Sequence, residues 1–548
     1  MDLTIFGLTD IVLSLKATHL ANFFASLIAF SFVMVLFIGR NYKLTKSFYA
    51  LFMLLTASMF LIVYANDYLL FFIGWEVMSI STYFLLSFTL SKEALFKYII
   101  FAMASALSLF IAILILYSGS HSFLYADASQ GYANLGDIEG LLFIAFMLFG
   151  IFVKIGTIGF HHWLVDAYEE SQNFFSPYLS AVVSKMGVYA LIILVVHVEN
   201  PSFVLAIMGV LTSIIATFKA IQENSIKRLL AYSSIAQIGY IVTVLGVADG
   251  MGGALYHSLI HTAVKLLLFI NVAGIIYITG RSKFSELGGL LYKMPQSFVL
   301  LLVGIITLAG MPPLGGFASK FMIYTSLLDA KYLLILSAVM FSSVSAFLYI
   351  YKLIYGIYLG HPTNKKLETV GEVPFSFLIP QYILAIVVIT LGTFPALVVP
   401  YFNKILDEMN LHTINFTNSA TLITPHAQFN GLIIISAFGA IFVIILLVLV
   451  SMRSKAKNVK DRFDIAYCGE KPTEATHLHY GYGMGKELKR VGFVHVIISN
   501  SSKYFYKFLG TQTLNLSEFI RKIYSGNLSL NFNIAIIFLI ILLWGSLK

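Results

Sequence analysis

Three ionisable side chains stand four residues apart in a stretch that is otherwise apolar. Residues 253–269 read GALYHSLIHTAVKLLLF, which places His257, His261 and Lys265 at that spacing. On an α-helix this spacing puts the three side chains on one face, each one turn from the next. Histidine titrates near neutral pH, and burial favours the neutral form of lysine, so such groups can exchange protons. The spacing predicts a proton relay, with structural histidines as the alternative.

The same two histidines allow a metal-site interpretation, because His at positions i and i+4 binds zinc in several enzymes. No third ligand stands in the segment, and Lys265 occupies the next turn. A cation beside a metal ion is unfavourable, so we expect no metal here. We also expect no cofactor on this chain, because its single cysteine, Cys468, excludes Cys-ligated clusters and no phosphate-binding loop is present.

Other ionisable residues interrupt apolar runs elsewhere. They are Glu76 in FFIGWEVMSIS, Lys154 in FGIFVKIGTIG, Lys185 in AVVSKMGVY and Lys320 in GGFASKFMIY. A charge at a helix centre costs about 2.5–3.5 kcal/mol even on insertion scales, so these residues mark function by default. A neutral Glu76 bonded to a serine, and a Lys154 that snorkels from its helix end, are the structural alternatives.

The composition identifies the elements that must position these groups. Hydrophobic residues make up 59% of the 548-residue chain and charged residues only 11%, with a mean hydropathy of +0.88. Apolar runs of about 20 residues predict an all-α polytopic membrane protein with about 14–15 transmembrane helices. The predicted spans are 20–39, 47–65, 68–90, 94–117, 139–159, 176–198, 202–219, 228–247, 253–279, 293–311, 317–328, 332–356, 375–400, 431–451 and 531–547.

The net charge of +9 reflects membrane topology rather than nucleic-acid binding. Basic residues such as Arg40, Lys227 and Arg281 fall in loops on one side, which the positive-inside rule makes cytoplasmic, and acidic residues fall on the other. We therefore expect a multi-pass protein in a lipid bilayer, the inner (cytoplasmic) membrane of a bacterium or archaeon. The first residues lack the basic region of a cleavable signal peptide.

Both halves of the apolar region share one plan. Lys154 stands beside Gly156 and Gly159, and Lys320 follows the helix-breaking sequence PPLGG. Corresponding interrupted helices indicate inverted repeats with sites near the midplane. We predict two inverted-topology half-channel repeats with broken helices.

This organisation divides the chain into five segments. They are an N-terminal interfacial segment (1–19), a proton-channel core (20–360), additional helices (361–451), a polar linker with an amphipathic lateral helix (452–530) and a C-terminal transmembrane helix (531–548).

A polar loop follows Lys154. It reads FHHWLVDAYEES and contains His161, His162 and Asp166. These residues form either a proton-uptake funnel at the cytoplasmic end or simply a polar loop.

Five stretches, in order, resemble the antiporter-like subunits of respiratory complex I, of Mrp cation/proton antiporters and of energy-converting membrane hydrogenases. They are GWEVMSISTYFLL, FHHWLVDA, IKRLLAYSSIAQIGY, HSLIHTAVKLLLF and LAGMPPLGGFASK. FIRKIYSGNLSLN further resembles the largest, distal subunit. The resemblance implies that Glu76 and Lys154 are a coupled pair, that Lys185 and Lys265 form the central axis with the histidines, and that Lys320 is the terminal lysine.

The sequence also departs from the family pattern. From the early position of Trp75 and Glu76 we expect about two N-terminal helices of the usual plan to have no counterpart here, and Gly159 and Val165 replace two loop prolines. The leading hypothesis is a proton-translocating subunit of a redox-driven complex, with other membrane subunits and redox subunits as partners. The alternatives are a Na⁺/H⁺ antiporter subunit of Mrp type, a membrane partner that energises inorganic-carbon uptake, and a structural scaffold.

Overall fold

The structure, a computed structural model, describes residues 2–8, 11–198, 202–359, 367, 369–453, 490, 492 and 501–523. Every predicted span up to residue 451 coincides with a helix, and twelve of the described helices are long and apolar enough to cross a membrane. The last predicted span (531–547), Cys468 and most of the predicted polar linker lie outside the described residues. The all-α polytopic fold is confirmed.

The helices follow one another with short connections. In chain order they are α1 (His19–Gly39), α2 (Lys46–Tyr64), α3 (Tyr68–Ser87), α4 (Lys92–Ser120), α5 (Ala128–Ala133), α6 (Asp137–Ile155), α7 (His162–Glu170), α8 (Ser176–His197), α9 (Phe203–Gln222), α10 (Ile226–Leu245), α11 (Met251–Thr279), α12 (Pro295–Ala309), α13 (Gly315–Asp329), α14 (Leu333–Leu359), α15 (Phe375–Thr393), α16 (Val399–Glu408), α17 (Gly431–Arg453) and α18 (Ser501–Ile523). Helix α18 belongs to a second compact unit, Glu487–Lys548, and lies within the predicted lateral segment.

Two helices that end close to a predicted lysine do so at glycines in the left-handed conformation. Gly156 (φ 74°) ends α6, and Gly310 (φ 75°) ends α12. Glycine adopts this conformation without the strain that a Cβ would cause, and it is a common way to terminate a helix. Helices α12 and α13 have 15 residues each. Each is therefore only about 22 Å long, short of the roughly 30 Å of a bilayer core, so together they form one interrupted span where the apolar pattern had predicted two.

The core of the first unit lies around α8, α10 and α11. In α10, 94% of the membrane-spanning window is buried, and in α8 and α11 89%, whereas in α4 and α14 the value is 39%. Burial on all sides explains why α10 and α11 tolerate polar residues: their side chains face protein rather than lipid. The predicted site residues on these helices are therefore shielded from the bilayer by the chain itself.

Short strands occur on the predicted outer side, where the sequence pattern had predicted none. The predicted interfacial segment contains an antiparallel hairpin of β1 (Asp2–Leu8) and β2 (Ile11–Lys16). A three-stranded sheet of β3 (Asn415–Asn418), β4 (Thr421–Ile423) and β5 (Gln428–Asn430) follows α16. These strands are too short for the alternation of apolar and polar residues to stand out in the sequence.

Three contacts between a histidine ring and a carboxylate connect the segment from α16 to β5 to other elements. They are His19–Glu408 at 2.5 Å, His412–Asp249 at 2.8 Å and His426–Asp329 at 2.8 Å. Because most of these side chains are well exposed, each pair contributes about 1 kcal/mol at most. Apolar packing, including Phe429 against Phe317 and Phe321, therefore holds the segment over α13.

Replacing Gly239 with valine is expected to lower the amount of folded protein in the membrane severalfold. Helices α9 and α10 approach so closely that a Cβ on Gly239 would lie 2.7 Å from the Gly209 oxygen and 2.7 Å from the Ser213 nitrogen. Overpacking of this kind costs about 1–3 kcal/mol. Quantitative immunoblotting of membranes measures the effect. Gly439→Val is the matched control, since a Cβ there meets nothing within 4 Å. Equal amounts of both variants would contradict the expectation.

Candidate functional site

Lys154 lies in the last turn of α6, just before the break at Gly156. Its side chain is only 4% exposed, so it does not snorkel to the surface. The amine Nζ lies 3.5 Å from Ser79 Oγ on α3 and 5.5 Å from the centroid of the Trp75 ring. A lysine over an aromatic face gains a cation–π attraction that partly offsets its desolvation.

Glu76 stands on α3 and is half-buried. It is close enough to Lys154 to interact electrostatically, but no ion pair to Glu76 forms in the part of the chain that the structure describes. The hydroxyl of the nearby Ser79 donates to the Trp75 carbonyl, at 2.9 Å, and not to the Glu76 carboxylate. The structure thus brings the predicted pair near one another without direct contact.

Lys185 and His261 meet directly between α8 and α11. Lys185 Nζ lies 2.6 Å from His261 Nδ1 and donates to the Ser180 carbonyl at 3.3 Å. The two side chains are 0% and 2% exposed. A π-helical turn, Leu179–Val183, precedes the lysine in α8, and such turns are frequent at functional sites. This contact connects the first half of the predicted row to the histidines.

His257 continues the row one turn along α11. Its ring stacks near that of His261, with centroids 6.2 Å apart and an interplanar angle of 14°. Nδ1 of His257 lies 3.0 Å from the Ser319 hydroxyl, and Ser319 is next to Lys320 in the chain. Among the described residues no group of three His, Cys, Asp or Glu could hold a metal ion.

Lys265 turns away from the histidines, although the spacing predicted one shared face. Its amine donates to the Leu230 carbonyl at 3.1 Å and to the Ser233 hydroxyl at 2.6 Å, both on α10. A lysine side chain is long enough to reach a neighbouring helix on either side of its own backbone. Helical spacing therefore predicted the position of Lys265, but not the direction in which its amine points.

Lys320 occupies the second helix break. Its amine donates to the carbonyls of Leu308 (3.2 Å) and Ala309 (2.8 Å), in the last turn of α12. These carbonyls are free to accept because Gly310 ends the helix there. The amine also donates to the Ser343 hydroxyl at 2.7 Å and lies 5.3 Å from the Tyr240 ring centroid. Like Lys154, it sits beside a break and over an aromatic ring.

The four predicted site lysines share one property. Lys154, Lys185, Lys265 and Lys320 all contact neutral partners: hydroxyls, backbone carbonyls or an imidazole. A carboxylate partner would hold a proton firmly on a lysine, whereas neutral partners do not fix its charge state. The arrangement can therefore gain and lose protons in response to charges that change nearby.

His161 and His162 lie together on the predicted cytoplasmic side, before and at the start of α7. Their ring centroids are 4.2 Å apart, and His161 is only 1% exposed. Burial lowers the pKa of His161 well below its ordinary value, and the adjacent His162 and the cation of Lys219 lower it further. Burial, with Lys219 and Lys97, lowers the pKa of His162 to about 4. Both imidazoles are thus neutral near pH 7.

Asp166 lies one turn beyond the two histidines but is engaged in ion pairs. It contacts Lys97, and it accepts from Arg228 at 3.0 Å. Arg228 also binds Glu169 at 2.8 Å and Glu223 at 3.1 Å. The structure therefore brings His161, His162 and Asp166 together. The ion pairs of Asp166 and Arg228 also connect α4, α7 and α10 to one another.

Sequence reasoning missed several buried polar residues, among them two lysines and a glutamine. Lys227 was counted as a loop charge, yet it is 4% exposed and donates to the Ser171 carbonyl at 2.5 Å. Lys352 is 2% exposed and donates to the Ile221 carbonyl at 3.0 Å. Gln237 is 1% exposed on α10. The sequence signal that could have identified Gln237 was its position four residues after Ser233, in a helix that has no distinct polar face.

Intramembrane ionisable residues that face the interior of a helical bundle mark ion and proton pathways. The fold and this site therefore define an ion-translocating membrane subunit with interrupted helices. The chain belongs to the NADH:quinone oxidoreductase/Mrp antiporter transmembrane family, whose model matches residues 65–346. The resemblance drawn from the five sequence stretches is thereby confirmed.

Individual relatives show how far the similarity extends. The chain is 30% identical over 379 residues to NADH-quinone oxidoreductase subunit N of Desulforudis audaxviator, covering 65% of this chain and 76% of the relative. It is 25% identical over 453 residues to a Na⁺/H⁺ antiporter subunit of Bacillus subtilis, covering 74% of this chain and 56% of that longer protein. One protein of the membrane-bound sulfane sulfur reductase, an archaeal respiratory membrane complex, superposes with a TM-score of 0.86 at 28% identity, covering 99% of this chain and 91% of that protein.

Proposed function

We propose that the chain translocates protons within a redox-driven, multi-subunit membrane complex related to respiratory complex I. The observation that carries the proposal is the 2.6 Å contact between Lys185 and His261, both almost fully buried among neutral partners. It joins the two halves of a row that begins at Glu76 and ends at Lys320. We further propose that residues 20–360 form the proton-channel core, as the sequence predicts.

The proposed transfer along the row conserves protons at each step. Ammonium Lys185 gives its proton to Nδ1 of His261, which leaves a neutral amine and an imidazolium. The imidazolium then releases a proton from Nε2 towards His257, whose own Nδ1 faces the Ser319 hydroxyl. From there the proton reaches the amine of Lys320, which becomes an ammonium. Neutral partners along the way keep each step close to reversible.

In this proposal, the charge states of Glu76 and Lys154 control how readily Lys185 holds a proton. A protonated Lys154 is favoured while Glu76 is ionised, and the preference weakens when the carboxylate is neutralised or moves away. Neutral Lys154 in turn removes a positive charge that opposes a proton on Lys185. Each proton moved against 100 mV costs about 2.3 kcal/mol, which a reaction on partner subunits must supply.

We propose a redox reaction as the energy source because one structural relative belongs to an archaeal respiratory membrane complex. The structural similarity to the archaeal respiratory complex covers nearly the whole chain, including residues beyond the family model. The Mrp similarity covers 74% of this chain at 19% identity, with a TM-score of 0.69. A Na⁺/H⁺ antiporter subunit of Mrp type remains the second candidate, since the Bacillus subtilis relative is an antiporter subunit.

Purification of the intact complex from native membranes tests the proposal. We expect redox subunits to co-purify, and inside-out vesicles to acidify their lumen when the electron donor and acceptor are added, without a requirement for Na⁺. Acidification is read with a pH-sensitive dye and abolished by a protonophore. Co-purification with antiporter subunits alone, together with Na⁺-dependent proton exchange and no redox activity, would establish the Mrp alternative instead.

A further inference from the structure

Gln237 lies between two of the buried lysines without belonging to the row of titratable residues. Its amide Nε2 donates to the Leu308 carbonyl at 3.4 Å, the same oxygen that accepts from Lys320 Nζ at 3.2 Å. Leu308 is in the last turn of α12, whose carbonyls are exposed by the helix break. Gln237 and Lys320 are therefore held by one shared acceptor.

On its other side, Gln237 is one turn from the group that binds Lys265. Ser233 Oγ accepts from Lys265 Nζ at 2.6 Å, and Ser233 and Gln237 are four residues apart on α10. That spacing puts both side chains on the same face, about 6 Å apart along the axis. The gap between the serine hydroxyl and the glutamine amide has the length that one or two water molecules bridge.

The two tracks between the central region and Lys320 are distinct. One runs along α11 from Lys185 through His261 and His257 to Ser319. The other runs along α10 from Lys265 through Ser233 and Gln237 to the Leu308 carbonyl. Because the Lys265 amine points to α10, its hydrogen bonds to Leu230 and Ser233 place it on the second track.

We propose that Gln237 positions a short water chain that passes protons between Lys265 and Lys320, so that α10 provides a second route beside the histidines. The inference rests on the proposed function and adds a water-binding site to it. Ammonium Lys265 loses one proton to the first water, and neutral Lys320 gains one from the last. The amide donates through Nε2 and accepts through Oε1, but it does not itself titrate. Gln237 is therefore a positioning residue.

A purely structural role is the competing explanation, because the amide also joins α10 to the end of α12. A buried glutamine elsewhere in the fold supplies the matched control. Gln381 on α15 is 0% exposed, accepts from Asn271 at 2.8 Å and donates to the Phe377 carbonyl at 2.9 Å. It lies on neither track. Replacing either glutamine with methionine keeps the length of the side chain and removes its hydrogen bonds.

The experiment compares Gln237→Met, Gln237→His and Gln381→Met in vesicles that carry the complete complex, with proton pumping expressed per redox turnover and per assembled complex. Gln237→Met is expected to lower pumping about fivefold, the rate equivalent of one lost hydrogen bond. Gln237→His, which again offers a donor and an acceptor, should restore most of it, and Gln381→Met should pump normally. Gln237→Leu replaces the methionine variant if that complex does not assemble.

Three results would overturn the inference: normal pumping by Gln237→Met, a loss that histidine does not rescue, or an equal loss in Gln381→Met. The failure of the inference is separable from that of the proposed function. If Lys185→Met lowers pumping while Gln237→Met does not, only the second route is wrong. If Lys185→Met itself pumps normally, the proposed function is wrong at its centre.

Discussion

Replacement of Lys265 by alanine is expected to abolish proton pumping in vesicles and to leave only part of the coupled redox turnover. The reason is its location: the residue is 0% exposed, and its amine donates to Leu230 and Ser233 inside the protein. Removal of the amine closes the route along α10, and it also takes away a charge that interacts with Lys185 and His261 on the histidine route. We expect a fall in pumping of roughly a hundredfold, a general figure for a lost proton-transfer group.

Lys352→Ala is the matched control for this variant. Lys352 is also a buried lysine, 2% exposed, with a backbone carbonyl as its acceptor, but its partner Ile221 is in the last turn of α9, near the surface. Loss of this amine is expected to leave most of the pumping intact. Proton translocation by the Lys265→Ala complex at the wild-type rate would remove the central lysine from the pathway. Immunodetection of the assembled complex ensures that both variants are compared at equal amounts.

The second large effect is expected from the contact between Lys185 and His261. Lys185→Met and His261→Phe should each lower pumping by at least about tenfold, and the double variant should be no worse than the more damaging single change. Two groups that pass one proton directly to each other act as a unit, because loss of either interrupts the same step. The measurement is the initial rate of acidification in the four members of the double-mutant cycle.

A second cycle shows whether the non-additivity belongs to that contact. Asn271 is on the same helix as His261, but it hydrogen-bonds to the Ser297 carbonyl and to Gln381, each at 2.8 Å. The effects of Lys185→Met and Asn271→Ala should multiply. Multiplicative effects for Lys185 and His261 as well would mean that they contribute to separate steps, and the direct transfer would be disproved.

The sequence was sufficient to predict the fold class because the signal is long and repeated. Apolar runs as long as those of α4 and α11 are compatible only with membrane-spanning helices. The helix break before Lys320 was evident from the proline and glycine residues that precede it. The burial of Lys185 and Lys320 was predictable for the same reason: each lies within an apolar run. Short outer strands such as β4 were not predictable, because three residues carry no periodicity.

The site was only partly predictable, because its details depend on which helices become neighbours. Spacing along α11 placed His257, His261 and Lys265 on one face, but the partners of each came from α8, α10 and α13. Lys227 illustrates the same limit. Its position near the start of α10 suggested a loop charge, whereas the Ser171 carbonyl, more than fifty residues earlier, holds it inside the protein.

The deep burial of the lysine row has a consequence for biogenesis. Lys154, Lys185, Lys265 and Lys320 are all 4% exposed or less within the single chain. Once a newly synthesised chain has this fold, none of these amines is exposed to the hydrocarbon of the bilayer, where an unpaired charge would be costly. As far as these four lysines are concerned, the folded chain can therefore reside in the bilayer before the other subunits join, because their amines are already covered.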